Sequence, residues 1–239
     1  MDPTWHPATD TPEGTFGLGP MLVGTLGATA GAVLLATPLG VLSAIFSVFY
    51  ASPKVGAWYR KVVELLAGIP SVVYGFWGLV VLVPMIRTWA PPGPSLLAGI
   101  LVLTVMILPT IAVISQSSMC SIPVSELQGA VALGLGRWAT LRGVVWPRSR
   151  SGIATAILLG TGRAIGETMA ILMVCGNVVR YPKSLFDPVR TLTANIALEM
   201  SYALGHHRSA LFASGLVLMT LVVILVIAAD RIQEVRQYA

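Results

Sequence analysis

Between Glu13 and Lys54 the chain carries no charge, and the stretch from about Met21 to Tyr50 predicts a first membrane-crossing helix. A crossing needs roughly 20 apolar residues, because the hydrocarbon core is about 30 Å thick and a helix rises about 1.5 Å per residue. Glu64 and Arg87 bracket a second run, about Leu65 to Ile86. A third, about Leu96 to Gln116, follows the breaker Pro91-Pro92-Gly93-Pro94. The fourth, about Ser151 to Cys175, contains Arg163 and Glu167, and the fifth, about Ser209 to Ala229, stops at Asp230. The fold class predicted is an all-α integral membrane protein, a bundle of about five transmembrane helices.

The loops differ in character. Within the segment Ser117 to Arg150, the residues Leu127, Ala130, Val131, Gly134, Leu135 and Trp138 recur at three- and four-residue spacing. That spacing predicts one short helix, about 123–138, with an apolar stripe. Pro123 and Ser125 suit its start, and Pro147 lies shortly beyond its end. Such a helix either lies on the membrane surface or docks into a partner, and periodicity leaves both open. The loop from Asn177 to His207 is also long, and Thr191 to Tyr202 reads as a short helix dipping back into the outer leaflet.

Composition agrees with the pattern. Hydrophobic residues make up 55% of the 239 and charged ones 10%, against about 25% charged in soluble domains, so too few charges exist to cover a soluble surface. Cys120 and Cys175 stand far apart and His6, His206 and His207 make no ligand set, which leaves no disulfide framework and no metal site encoded. The basic excess maps onto topology. Lys54, Arg60, Lys61, Arg137, Arg142, Arg148, Arg150, Arg231 and Arg236 fall on one side of the five crossings. Arg87, Arg180, Lys183, Arg190 and Arg208 fall on the other. The richer side is expected to be cytoplasmic, which puts the N-terminus outside, beside Asp2, Asp10 and Glu13, and the C-terminus inside. Met1 to Pro20 has no basic start and no early apolar run, so it does not read as a signal peptide.

Candidate chemistry centres on Arg163 and Glu167. At i and i+4 on one helix they share a face and are close enough to pair. An arginine at the middle of a crossing costs roughly 2.5–3.5 kcal/mol on insertion scales, so it must face a bundle interior, an interface or a wet pathway. The pair either locks two helices together or forms an anion-pathway element. Gly162 and Gly166 flank it as a small-xxx-small pair, which admits another helix closely. Pro70 opens the second crossing, Pro84 closes it, Pro109 interrupts the third and Pro38 breaks the first, so these prolines are candidate hinges. His206 and His207 read as solvated loop residues. No Gly-x-x-x-x-Gly-Lys loop exists, so any ATP is bound by another subunit. The crossings contain no His and no Asp, which argues against an intramembrane protease.

Gln128-Gly-Ala-Val-Ala-Leu-Gly134, followed after nine residues by Val144-Val-Trp-Pro147, resembles the coupling motif of bacterial ABC importer permeases. Gly68-Ile-Pro-Ser-Val-Val-Tyr-Gly75 and Arg163-Ala-Ile-Gly-Glu-Thr168 resemble the phosphate-specific permeases. Met169 to Asn177, Thr191-Leu-Thr-Ala-Asn-Ile-Ala197, and the opening Trp5, Phe16-Gly17 and Gly24-Thr25 are similar to their C-type subunit. The resemblance implies a type I importer fold, with residues 1–20 an extracytoplasmic tail and 21–239 the permease domain. It implies inorganic phosphate as substrate, delivered by an external binding protein, with an A-type permease and an ATPase dimer as partners. No cofactor is expected on this chain and no enzymatic activity of its own. Arg163 and Glu167 would form the pathway gate. Glu126, Gln128, Gly134, Arg137 and Trp138 would couple to the ATPase; Gln128 stands where the motif usually has an acidic residue. Pro70, Pro109, Gly162 and Gly166 would serve as hinges. The family ordinarily has six crossings, and this chain begins after the first. The competing readings are a permease for another oxyanion, such as sulfate or molybdate, and a truncated, non-transporting membrane scaffold.

Overall fold

A bilayer offers no water to unpaired backbone groups, so apolar runs of this length fold as helices. The computed structural model describes residues 5–7 and 14–237, with side chains described as far as residue 227. Asp2, Asp10 and Glu13 of the expected acidic tail lie outside the described residues, as do the side chains of Asp230, Arg231 and Arg236.

A short antiparallel pair comes first, β1 (Trp5–His6) and β2 (Thr15–Phe16), with Trp5 opposite Phe16. Helix α1 (Gly19–Ile45) continues through a π-helical turn, Phe46–Tyr50. The amphipathic α2 (Pro53–Ala67) follows, capped at its start by Ser52. Helix α3 (Ser71–Trp77) runs through a second π turn, Gly78–Leu82, into α4 (Val83–Arg87). Next come α5 (Leu96–Cys120), α6 (Val124–Ala132) and α7 (Arg137–Thr140). A third π turn, Leu141–Val145, leads into α8 (Trp146–Ile165). The chain ends with α9 (Met169–Val174), α10 (Leu192–Glu199) and the long α11 (Gly205–Gln237).

Among the described residues three stretches are long and apolar enough to cross a membrane: Gly19–Tyr50, Leu96–Cys120 and Gly205–Ile227. A fourth is added if α2 and the α3–α4 helix, bent by 90° between Ala67 and Ser71, count as one broken span. Two expected crossings therefore change. The second begins at Ser71 rather than Leu65, because Gly68 ends α2 and Pro70, with no N–H to donate, forces a fresh start. The fourth is divided, since α8 stops at Ile165 and α9 begins only at Met169.

Burial sets the layout. The most apolar window of α5 is 61% buried and that of α11 only 11%, so α5 is the bundle's axis and α11 its outrigger. Leu103, Met106, Ile107 and Ile111 of α5 are fully enclosed, with α1 and α8 packed on either side. Helix α3 approaches α9 so closely that a Cβ on Gly75 would sit 2.6 Å from the Cα of Ala170.

The prolines act differently from the expectation. Pro38 and Pro109 lie inside α1 and α5, and both helices run on through them. Pro84 sits in the first turn of α4 instead of closing a helix, and Pro147 in that of α8. Each of these two follows a π turn. A proline ring clashes with the carbonyl four residues back. That carbonyl, Val80 or Gly143, lies in the π turn, where pairing moves to i+5: Val83 N–H to Gly78 O, and Trp146 N–H to Leu141 O. At Pro84 and Pro147 the irregularity is absorbed in the wide turns, so the chain passes from each π turn into the next helix without a break.

The expected helix over about 123–138 is two helices. Gly134 has φ +71°, a left-handed backbone that glycine adopts without cost. It ends α6 after Ala132, and α7 restarts at Arg137. Of the predicted stripe only Ala130 is buried; Val131, Leu135 and Trp138 are 72%, 39% and 66% exposed.

Candidate functional site

Arg163 lies in the last turn of α8, half-buried, and its Nη1 donates to Thr110 Oγ1 of α5 at 3.1 Å. Thr110 follows Pro109, so the buried proline places this hydroxyl. Among the described residues Arg163 makes no ion pair. The expected bond to Glu167 is absent because the helix ends between them. With Gly166 capping α8, the i and i+4 positions no longer share one face.

Glu167 does other work. Its Oε1 accepts from the Ala170 amide at 3.0 Å, at the start of α9, where orphan N–H groups favour a carboxylate. Its carbonyl accepts from Thr193 Oγ1 of α10 at 2.8 Å. Glu167 thus fixes the break between α8 and α9 and joins it to α10. The Gly162 and Gly166 contact is also not seen: among the described residues nothing lies within 4 Å of a Cβ on Gly162, and Gly166 would meet only the Gly162 carbonyl. Among the described residues, the close approaches to α8 occur at Gly152, against Ser118, and at Gly160, against Ile111.

At the other end, Glu126 in the first turn of α6 holds Arg148 of α8 in a bidentate pair, at 2.6 and 2.8 Å. Gln128, Gly134, Arg137 and Trp138 are all exposed. The α6–α7 elbow therefore presents apolar and basic groups outward while one ion pair anchors it to α8.

A second polar centre had no counterpart in the sequence reading. The Glu199 carboxylate, on a side chain only 6% exposed, accepts from Trp5 Nε1 at 2.7 Å and Arg190 Nη1 at 2.6 Å, and bonds His207 Nε2 at 2.8 Å. Arg190 also donates to the Asn177 carbonyl and to Asn195 Oδ1, each at 3.0 Å. Phe16 stacks on His207, and Trp5 meets Phe16 edge-on. His207 is thus enclosed, not solvated as expected. Thr25 of α1 accepts from the Leu192 amide at 3.0 Å, tying α1 to the same region. The signal available in sequence was Glu199 itself, a lone carboxylate in the apolar run 191–202. The nearby Tyr202 hydroxyl is pushed above its ordinary pKa, by burial first and then by the Glu199 charge.

Comparison with known proteins agrees with this architecture. The family described as binding-protein-dependent transport system inner membrane component matches residues 36–236. A probable ABC transporter permease protein of Bacillus subtilis is 43% identical over 221 residues, covering 91% of this chain and 71% of that protein. The phosphate transport system permease protein PstC of Mesorhizobium japonicum is 36% identical over 255 residues, covering 98% and 76%. Among solved structures, the MetNI methionine ABC transporter in an inward-facing form superposes with a TM-score of 0.69 at 22% identity, covering 92% and 94%. A bacterial ABC transporter that imports alginate superposes at 0.68 with 14% identity, covering 90% and 78%. These two show the fold: a helical membrane bundle of the ABC importer type. With the family match spanning most of its length, this chain belongs to the inner-membrane components of binding-protein-dependent ABC transport systems.

Proposed function

We propose that this chain is the C-type permease subunit of an ABC importer that moves inorganic phosphate into the cell. The observation that carries the reading is Arg163: a guanidinium held in an apolar bundle, bonded to a neutral hydroxyl and matched to no carboxylate among the described residues. Guanidinium presents five donors in a planar fork suited to phosphate. Glu167 stays nearby in sequence but is committed to α9, so it does not neutralise Arg163 directly. Its part is to hold the α8–α9 break that follows the turn carrying Arg163.

In this reading an external binding protein delivers phosphate, an A-type permease completes the pathway, and two ATPase subunits bind and hydrolyse ATP. This chain binds no cofactor and is no enzyme. The N-terminus is outside and the C-terminus cytoplasmic, by the basic-residue asymmetry. The segment 123–138 with its exposed Gln128, Arg137 and Trp138 meets the ATPase, pivoting at Gly134 and anchored through Glu126. The bistable element is the bundle around α5, with Pro70, at the 90° bend between α2 and α3, as its hinge.

The test is radiolabelled phosphate uptake in cells lacking their own C-type subunit, complemented with this chain. Restored, ATP-dependent uptake that excess sulfate or molybdate does not compete away supports the reading. Assembly with the partner subunits without any uptake refutes it and favours the scaffold.

A further inference from the structure

At the end of the first crossing the helices part around an apolar groove with a volume of about 570 Å³, in the range of roughly 300–1,000 Å³ typical of small-molecule sites. Leu42, Ile45 and Leu141 give it aliphatic walls, from α1 on one side and the π turn before α8 on the other. Phe46, Tyr50, Trp138 and Trp146 line it as well, between 46% and 66% exposed. Tyrosine and tryptophan concentrate at the level of lipid headgroups, where one end of the ring is dry and the other wet.

Arg142 is the one charged residue among the groove's lining. It is exposed and has no ion pair or hydrogen bond among the described residues, whereas Arg60, Arg148, Arg180 and Arg190 each face a carboxylate. Beside the groove, Phe46 meets Tyr59 of α2 edge-on at 6.4 Å, and α2 carries Lys54 and Lys61 besides the Arg60–Glu64 pair. An apolar slot with aromatic walls and a free guanidinium complements a molecule with a hydrocarbon tail and an anionic head.

We propose that this groove is a binding site for an anionic phospholipid, one acyl chain lying along Leu42, Ile45 and Leu141 and the headgroup phosphate on Arg142. Basic pockets between membrane helices hold anionic headgroups in this way. A protein helix packed into the slot would instead bring apolar surface against an unmatched guanidinium. Placing the groove at the cytoplasmic interface rests on the orientation proposed above; the headgroup preference does not, so the two fail separately. Because Trp138 and Leu141 follow the Gly134 elbow, lipid in the slot would wedge the coupling segment against α1.

The test uses the full chain, purified with the subunits that assemble with it, in nanodiscs. Phosphatidylglycerol and phosphatidylcholine carrying the same photoactivatable acyl chain are crosslinked, and labelled peptides are mapped by mass spectrometry. Phosphatidylglycerol is expected to label residues 42–50 and 138–146 roughly fivefold more than phosphatidylcholine, equivalent to about 1 kcal/mol for one basic residue at an anionic surface. Arg142→Gln should erase the preference and Arg142→Lys retain most of it; the comparison of headgroups on the unmodified chain needs no variant to fold. Equal labelling by both headgroups would overturn the proposal and leave ordinary lipid contact. Labelling of the exposed α11 face with none in the groove would overturn it too, because protein then covers the slot.

Discussion

Replacing Glu199 by leucine removes the acceptor shared by Trp5, Arg190 and His207 while preserving bulk in a nearly closed site. Removing one member of a buried ion pair costs about 3–5 kcal/mol. Arg190 keeps the Asn177 carbonyl and Asn195 Oδ1, which favours the lower end, about 3 kcal/mol. Leaving the Trp5 N–H unpaired adds about 1 kcal/mol. The sum, about 4 kcal/mol, is close to a thousandfold change in a local opening equilibrium at 1.36 kcal/mol per factor of ten. Hydrogen exchange read by mass spectrometry is the assay, comparing peptides over 14–20 and 190–208 with peptides from α5. Protection should fall by up to a thousandfold in the outer peptides and stay unchanged in α5, since that cluster is distinct from the main core. Arg190→Leu should cost a similar amount, and the double variant less than the sum. A loss under tenfold, or an equal loss throughout α5, would refute the view that this carboxylate holds the outer segments together.

Other outcomes follow from the same geometry. Gly75→Val should lower the melting temperature of the purified protein, because the Ala170 backbone cannot yield as a side chain would, at roughly 1–3 kcal/mol for overpacking. Gly162→Ala should leave the isolated chain as stable or slightly more so; if it blocks assembly, a partner helix packs there, as native gel migration would show. Gly134→Val should strain the α6–α7 elbow by about 1–2 kcal/mol and reduce uptake at unchanged expression. Asp187 accepts from the Lys183 and Ser184 amides and pairs with Arg180, the Lys183 bond first among the causes that hold its carboxyl below the usual range. A depressed folded pKa means its contribution is present above the unfolded value, about 3.9, and is lost as pH falls through the folded one. Pepsin should therefore nick the 180–190 loop of the unmodified chain more slowly than that of Asp187→Asn at pH above about 4, and the two rates should converge as pH drops below it.

How much was legible follows from what each feature depends on. Crossings marked by absence of charge, such as Gly19–Tyr50 and Leu96–Cys120, were visible because one long apolar run suffices. The Arg163–Glu167 pair failed because i, i+4 reasoning assumes an unbroken helix, and Gly166 ends α8 between them. The helix over 123–138 failed for the same reason, at Gly134. Periodicity reports which residues would share a face, not where a helix stops. The Glu199 cluster was beyond local pattern altogether: Trp5 and Glu199 are 194 residues apart. Yet Trp5, Phe16 and Thr25, read only as marks of resemblance, all converge on that region, which gives the resemblance a physical cause.

The central claim is that Arg163 supplies the positive charge an entering phosphate meets. Radiolabelled phosphate uptake by Arg163→Gln, Arg163→Lys and the unmodified chain, at matched assembly with the partner subunits, tests it most directly. The account predicts loss of uptake in Arg163→Gln and partial retention in Arg163→Lys, which keeps the charge without the planar fork. Uptake by Arg163→Gln equal to that of the unmodified chain would contradict it.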